Sequence, residues 1–124
     1  MIDYVINGKE NLLYCNISGE VRVLDFQNYV QRLLQDKDYH LQLDAIIRIS
    51  EDLVISYANE AEGIGKIFSE FLKRRKGALW AFVMPNQITK GIVSLIMQEV
   101  DSTPISVAYF ESEEEAKSWI SAKS

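Results

Sequence analysis

Cysteine and histidine are almost missing from this chain: its 124 residues hold one Cys, Cys15, and one His, His40. A lone cysteine forms no internal disulfide, so the fold has to stand on its core. A metal centre needs three or four convergent ligands. One His and one Cys on separate segments do not supply them, and neither a metal nor a cofactor is expected. Long hydrophobic runs are missing too. The apolar stretch at residues 78–84 is far short of the roughly 20 residues that cross a bilayer. The start, Met1-Ile2-Asp3-Tyr4, lacks the basic and then apolar regions of an export signal. The expectation is a cytoplasmic protein with no membrane span. Internal repeats, low-complexity segments and linkers are also absent from the sequence.

What is present is ordinary for a globular domain: 48% hydrophobic and 25% charged residues. A chain of this length fits one domain, residues 1–124, and can bury a core without staples. The formal net charge of −5 disfavours non-specific nucleic-acid binding. One basic run, Lys73-Arg74-Arg75-Lys76, stands at the end of a predicted helix, where cations complement the dipole.

The periodicities give an element order. Residues 2–6 read as a strand, Asn7-Gly8 as a hairpin signal, and residues 12–18 as a second strand with Leu13, Cys15 and Ile17 on one face. Asp25 is placed as the N-cap of a helix whose Phe26, Tyr29, Val30, Leu33 and Leu34 match the apolar template. Residues 45–49 read as a strand. Residues 52–57 fit either a short strand or a loop. A helix from Asn59 or a neighbour to about Arg75 presents Ile64, Ile67, Phe68, Phe71 and Leu72, with Gly77 as its C-terminal stop.

Residues 79–84 form a continuous apolar run, the pattern of a strand covered on both faces. Pro85-Asn86 breaks it. The next helix is expected to turn Ile88, Ile92, Leu95 and Ile96 inward, with Gly91 packed on the sheet. A turn at 102–104 leads to a last strand, 105–110. Ser112 and Glu115 then form a capping box for a helix that carries Ala116, Trp119 and Ile120 inward. The order β-β-α-β-α-β-α-β-α predicts an α/β fold: a hairpin, then a mostly parallel sheet of about five strands with about four helices.

The chemistry-bearing residues form no catalytic motif. Cys15 sits on an apolar strand face, a packing position. Gly63-Ile64-Gly65 lacks the third glycine of a dinucleotide loop and the Gly-Lys-Ser/Thr of a P-loop; it fits helix-start flexibility or close packing. Glu111, Glu113, Glu114 and Glu115 crowd a helix N-terminus, where negative charge is favoured. Arg48 interrupts an apolar strand and needs a partner, an exit to water, or a ligand. Ligands of open α/β sheets bind beyond the C-terminal strand ends, which here means Ser50-Glu51, residues 84–87 and residues 110–112. No enzyme activity is expected.

Three segments carry a family resemblance: Leu12-Leu13-Tyr14-Cys15-Asn16-Ile17-Ser18-Gly19-Glu20, Ala45-Ile46-Ile47-Arg48-Ile49-Ser50, and Tyr109-Phe110-Glu111-Ser112-Glu113-Glu114-Glu115-Ala116-Lys117-Ser118-Trp119-Ile120. With the element order, they resemble the SpoIIAA-like, STAS/SEC14-type family of small bacterial proteins. The resemblance implies a regulatory or protein-interaction module like the STAS anti-sigma-factor antagonists. Its partner would be another protein or a second copy of the chain. The SEC14 side implies an apolar small molecule or lipid as the alternative ligand. In the antagonists a serine at the start of the helix after this central strand is phosphorylated. This chain has Ser56-Tyr57-Ala58-Asn59 there, with Tyr57 or Ala58 at the acceptor position and Ser56 where the family has Asp. Arg48, Ser50, Ser56, Tyr57, Asn59 and Asn86 are therefore the expected interaction or switch region.

Overall fold

The structure, a computed structural model, describes residues 1–40, 42–55, 58–72, 78–84, 86–98 and 106–123. Five strands and four helices alternate as expected: β1 (Ile2–Asn7), β2 (Leu12–Ile17), α1 (Val23–Gln35), β3 (Asp44–Ile49), α2 (Ala58–Leu72), β4 (Leu79–Val83), α3 (Gln87–Met97), β5 (Ser106–Phe110) and α4 (Glu113–Lys123). The sheet order is β1-β2-β3-β4-β5. Only β1 and β2 are antiparallel; β2 to β5 are parallel.

That order decides the layers. Each crossover from β2 to β5 steps one strand in the same direction. Right-handed crossovers then place α1, α2 and α3 on the same face. Helix α4 follows β5 and covers the opposite face over β3, β4 and β5.

Strand alternation feeds both layers. On β4, Trp80 and Phe82 enter the three-helix core, while Leu79 and Ala81 face α4. This is the doubly buried strand that the apolar run predicts. Trp80 is fully buried and meets Phe68 and Phe71 edge-on, with ring centroids 5.6 and 6.3 Å away. Across the sheet, Leu12, Ile46, Leu79 and Ala81 pack with Ala116 and Ile120 of α4.

Local details correct several sequence expectations. The hairpin forms, but through a longer loop. Asn7 Oδ1 accepts from the amides of Lys9 and Glu10 (3.1 and 3.2 Å), and Asn11 rather than Gly8 takes the positive φ of 57°. Helix α1 starts at Val23, with Asp25 inside its first turn rather than as the N-cap. Asp25 Oδ2 accepts from the Arg22 amide (2.9 Å), and Glu60 of α2 caps the Val23 amide (2.8 Å). The cap thus comes from another helix. Leu34, expected inward, is 55% exposed.

Ile88 lies outside the described side chains of α3. Among the others, Thr89, Val93, Ile96 and Met97 are buried, whereas Leu95 is 53% exposed and a Cβ added at Gly91 would meet nothing within 4 Å. Apolar residues at Ile92, Val93, Leu95, Ile96 and Met97 cover more than one stripe of this helix, so its pattern leaves the inward face open. Close packing does hold at Gly63: a Cβ there would stand 2.8 Å from Val23 Cγ2. At α4, Ser112 Oγ accepts from the Glu115 amide (3.2 Å), but Glu115 returns its carboxylate to the Ser112 hydroxyl rather than to a backbone amide. The basic run 73–76, Gly77, Pro85 and the turn at 102–104 lie outside the described residues.

Candidate functional site

Two loops leave neighbouring parallel strands at the C-terminal edge of the sheet and are stitched together. After β3, the Ser50 amide donates to Ile17 O (2.9 Å) and Ser50 O accepts from Leu53 (3.2 Å). The turn carries Asp52 toward the β2–α1 loop, where its Oδ1 accepts from the Gly19 amide (3.0 Å). Gly19 has φ +68°, a conformation that glycine adopts without strain. Val54 then donates to Gly19 O (2.8 Å), and Val21 donates to Val54 O (2.9 Å). Residues 52–57 are thus a loop with one parallel bridge, Glu20 to Val54, as far as they are described.

The helix starts are tied as well. Glu60 uses one oxygen on the Val23 amide and the other on the Arg22 guanidinium (2.9 Å). The Val23 amide first, and then Arg22, hold the Glu60 carboxyl below its ordinary value. The Ser50 side chain, followed by the Gly19 amide, does the same for Asp52. Both carboxylates are favoured in their charged form by the hydrogen bonds they accept. The loop of the expected switch is thereby fixed on both flanks, at Val54 and at Glu60.

Ser56 and Tyr57 lie outside the described residues. Ser50 is half-buried at the turn, and Asn59 is exposed in the first turn of α2. Asn86 is the N-cap of α3, its Oδ1 accepting from the Thr89 amide (2.9 Å) and hydroxyl (3.0 Å). Arg48 faces the other side of the sheet and pairs with Glu113 at the start of α4 (3.1 Å). Its Nε is buried with no hydrogen-bond partner among the described residues. Among the described residues, no hydrogen bond or ion pair joins any two of Arg48, Ser50, Asn59 and Asn86.

Two surface depressions lie apart from this frame. Beyond the ends of β4 and β5, a cleft of about 400 Å³ is lined by Asn86, Lys90, Tyr109, Glu111 and Glu115. It lies where an open α/β sheet places its ligands. A second depression, of about 500 Å³, runs between α1 and α2 and is mostly apolar, with Val30, Leu34, Tyr39, Ile67 and Phe71.

The remaining candidate groups are accounted for. Cys15 is 1% exposed, and burial pushes its thiol up to about 12, the state of a packing residue rather than a nucleophile. His40 is exposed, and its Nδ1 accepts from the Gln42 amide (3.3 Å). Among the described residues, no three His, Cys, Asp or Glu side chains could hold a metal ion, and no helix is long and apolar enough to cross a membrane.

Sequence reasoning missed the Glu60 clamp and the α1–α2 groove. Glu60 reads locally as an acidic first-turn residue, and nothing in the sequence says that it reaches Val23. The groove had a signal: α1 carries more apolar residues than its inward face can hold, Leu34 among them. Neither a protein-family model nor a curated protein matches the chain.

Proposed function

We propose that this domain is a non-enzymatic regulatory or protein-interaction module, of the kind that STAS anti-sigma-factor antagonists represent, working in the cytoplasm. The supporting observation is the clamped loop frame at the C-terminal strand ends. Asp52, Gly19, Val54 and Glu60 hold both flanks of the segment that contains Ser56 and Tyr57. Such a frame presents a short recognition segment to a partner at low entropic cost. Helix α2 begins at Ala58, and phosphate on a hydroxyl just before a helix start is favoured by the dipole and the free amides.

The test is a photo-crosslinking amino acid at Asn59, with Val5 on the exposed part of β1 as control. The expected result is a crosslinked protein from Asn59 in cells of the source organism and none from Val5. Absence of any adduct from Asn59 and from Asn86 overturns the reading.

The α1–α2 groove favours a second reading, an apolar small molecule or lipid. It would be held at that surface, because the enclosed void beneath the helices is only about 20 Å³. Native mass spectrometry of the purified chain should then show an adduct that organic extraction removes. A bare mass rejects it.

A further inference from the structure

We infer that the outward face of α1 is a self-association surface, on which a second copy of this chain packs antiparallel across a two-fold axis. This surface is separate from the strand-end frame, so the inference stands or falls independently of the function proposed above.

The face is unusual in its chemistry. Leu24, Gln27, Asn28, Gln31, Leu34 and Gln35 are all exposed, and none is charged. A quarter of the chain is charged, so a 13-residue surface helix with a charge-free outer face stands out. The two charges that α1 does carry are engaged within the chain. Asp25 accepts from the Arg22 amide, and Arg32 donates to Ile2 O (2.9 Å) and lies over the Tyr4 ring. Depletion of charge is what distinguishes the centre of an interface from ordinary surface. Two large apolar side chains mark the ends of the face: Leu24 is 64% and Leu34 55% exposed.

The arrangement is complementary to itself. An antiparallel two-fold centred near Tyr29 sets Leu24 opposite Leu34 of the other copy, and Gln27 opposite Gln31. Leu34 also borders the mostly apolar α1–α2 groove, whose lining includes Lys66 and Glu70 and which offers the incoming Leu24 a pocket beside Ile67 and Phe71. Just beyond the helix ends stand exposed residues of opposite sign, Glu20 before α1 and Lys37 after it. The same two-fold brings each Glu20 toward the other copy's Lys37, twice. The helix dipoles oppose one another favourably. Two copies of net charge −5 repel, and a neutral face with crossed charge pairs at its rim is where that repulsion is least.

One helix face with its adjoining groove offers less than the roughly 800 Å² per partner of a standard interface, so a dissociation constant of about micromolar size is expected. Sedimentation velocity over a concentration series should show a reversible monomer–dimer equilibrium. Leu34→Glu, at an exposed position, should weaken it at least about tenfold while leaving the circular dichroism unchanged. Glu20→Lys and Lys37→Glu should each weaken it, and the double charge reversal should restore it. A mixture of Leu24→Cys and Leu34→Cys chains should form the crossed disulfide, because the sole native cysteine is buried.

A monomer at every concentration overturns the proposal. So does a dimer that neither Leu34→Glu nor the charge reversals affect. An apolar fluorescent probe that occupies the groove of a strictly monomeric chain would assign the groove to a small molecule instead.

Discussion

The two faces of this sheet are built from the same strands and differ in kind. The three-helix face is thick and rich in aromatic rings: Phe26, Tyr29, Phe68, Trp80 and Phe82 are each at most 4% exposed. Among the described residues the one-helix face has a core of six buried side chains, and its rings Tyr14, Phe110 and Trp119 are only partly covered. Hydrophobicity alone does not explain the contrast, since β4 is apolar on both sides. Strand order does. Three crossovers in one direction load one face, and among the described elements α4 alone covers the other. The thin face is also where strand residues are polar, at Asn16 and Arg48. The lesson is that topology allocates the core, and sequence then adapts to what each face can cover.

Paired tryptophans give the largest expected contrast. Trp80→Ala should cost about 3–5 kcal/mol by chemical denaturation, the usual loss for a large buried ring. Trp119 is half-buried against Phe110, at 5.7 Å between centroids. Its replacement by Ala should cost only about 1–2 kcal/mol. Equal losses would mean that α4 is docked as firmly as the other three helices.

Glycine substitutions sharpen the picture within the thick face. Gly63→Ala gains helix propensity but drives a Cβ against Val23, and a net loss of about 1 kcal/mol is expected. Gly91→Ala meets open space, and a gain of about 0.5–1 kcal/mol is expected. Thermal unfolding of both variants tests this; a stabilised Gly63→Ala protein would show that α1 and α2 have room to separate.

The smallest effects should appear in acid. Asp52 and Glu60 titrate below their ordinary 3.8 and 4.5 in the folded chain. The unfolded chain therefore binds more protons, and stability falls as pH drops from those values through the lower folded ones. Asp52→Asn and Glu60→Gln should each flatten that acid limb and leave the slope near neutrality alone. An unchanged limb would remove these carboxylates from the frame.

The element order was legible because it rests on strong, redundant patterns. The doubly apolar β4, the period-two face of β2 and the regular stripe of α2 each point one way. What stayed hidden was either long-range or degenerate. The start of α1 depends on Glu60, 37 residues away from Val23. The inward face of α3 could not be read from a segment apolar at Ile92, Val93, Leu95, Ile96 and Met97. The candidate site was legible as a place, the strand ends near Ser50 and Asn86, because fold class alone predicts it. Its clamp was not, because Asp52, Gly19 and Val54 carry no pattern that announces a partner across two loops.

The sheet order has a kinetic side. Every strand lies beside its predecessor in the chain, so no strand has to be inserted between two that are already paired. Pairing can begin at the hairpin and proceed one β-α unit at a time, each later step closing a single helix-containing crossover. Parallel pairings form more slowly than a hairpin, and adding strands in sequence order keeps each search to the neighbouring unit of the chain. On the ribosome the same property lets each new strand meet a finished edge as it emerges. Helix α4 comes last and closes over the one face that would otherwise remain open.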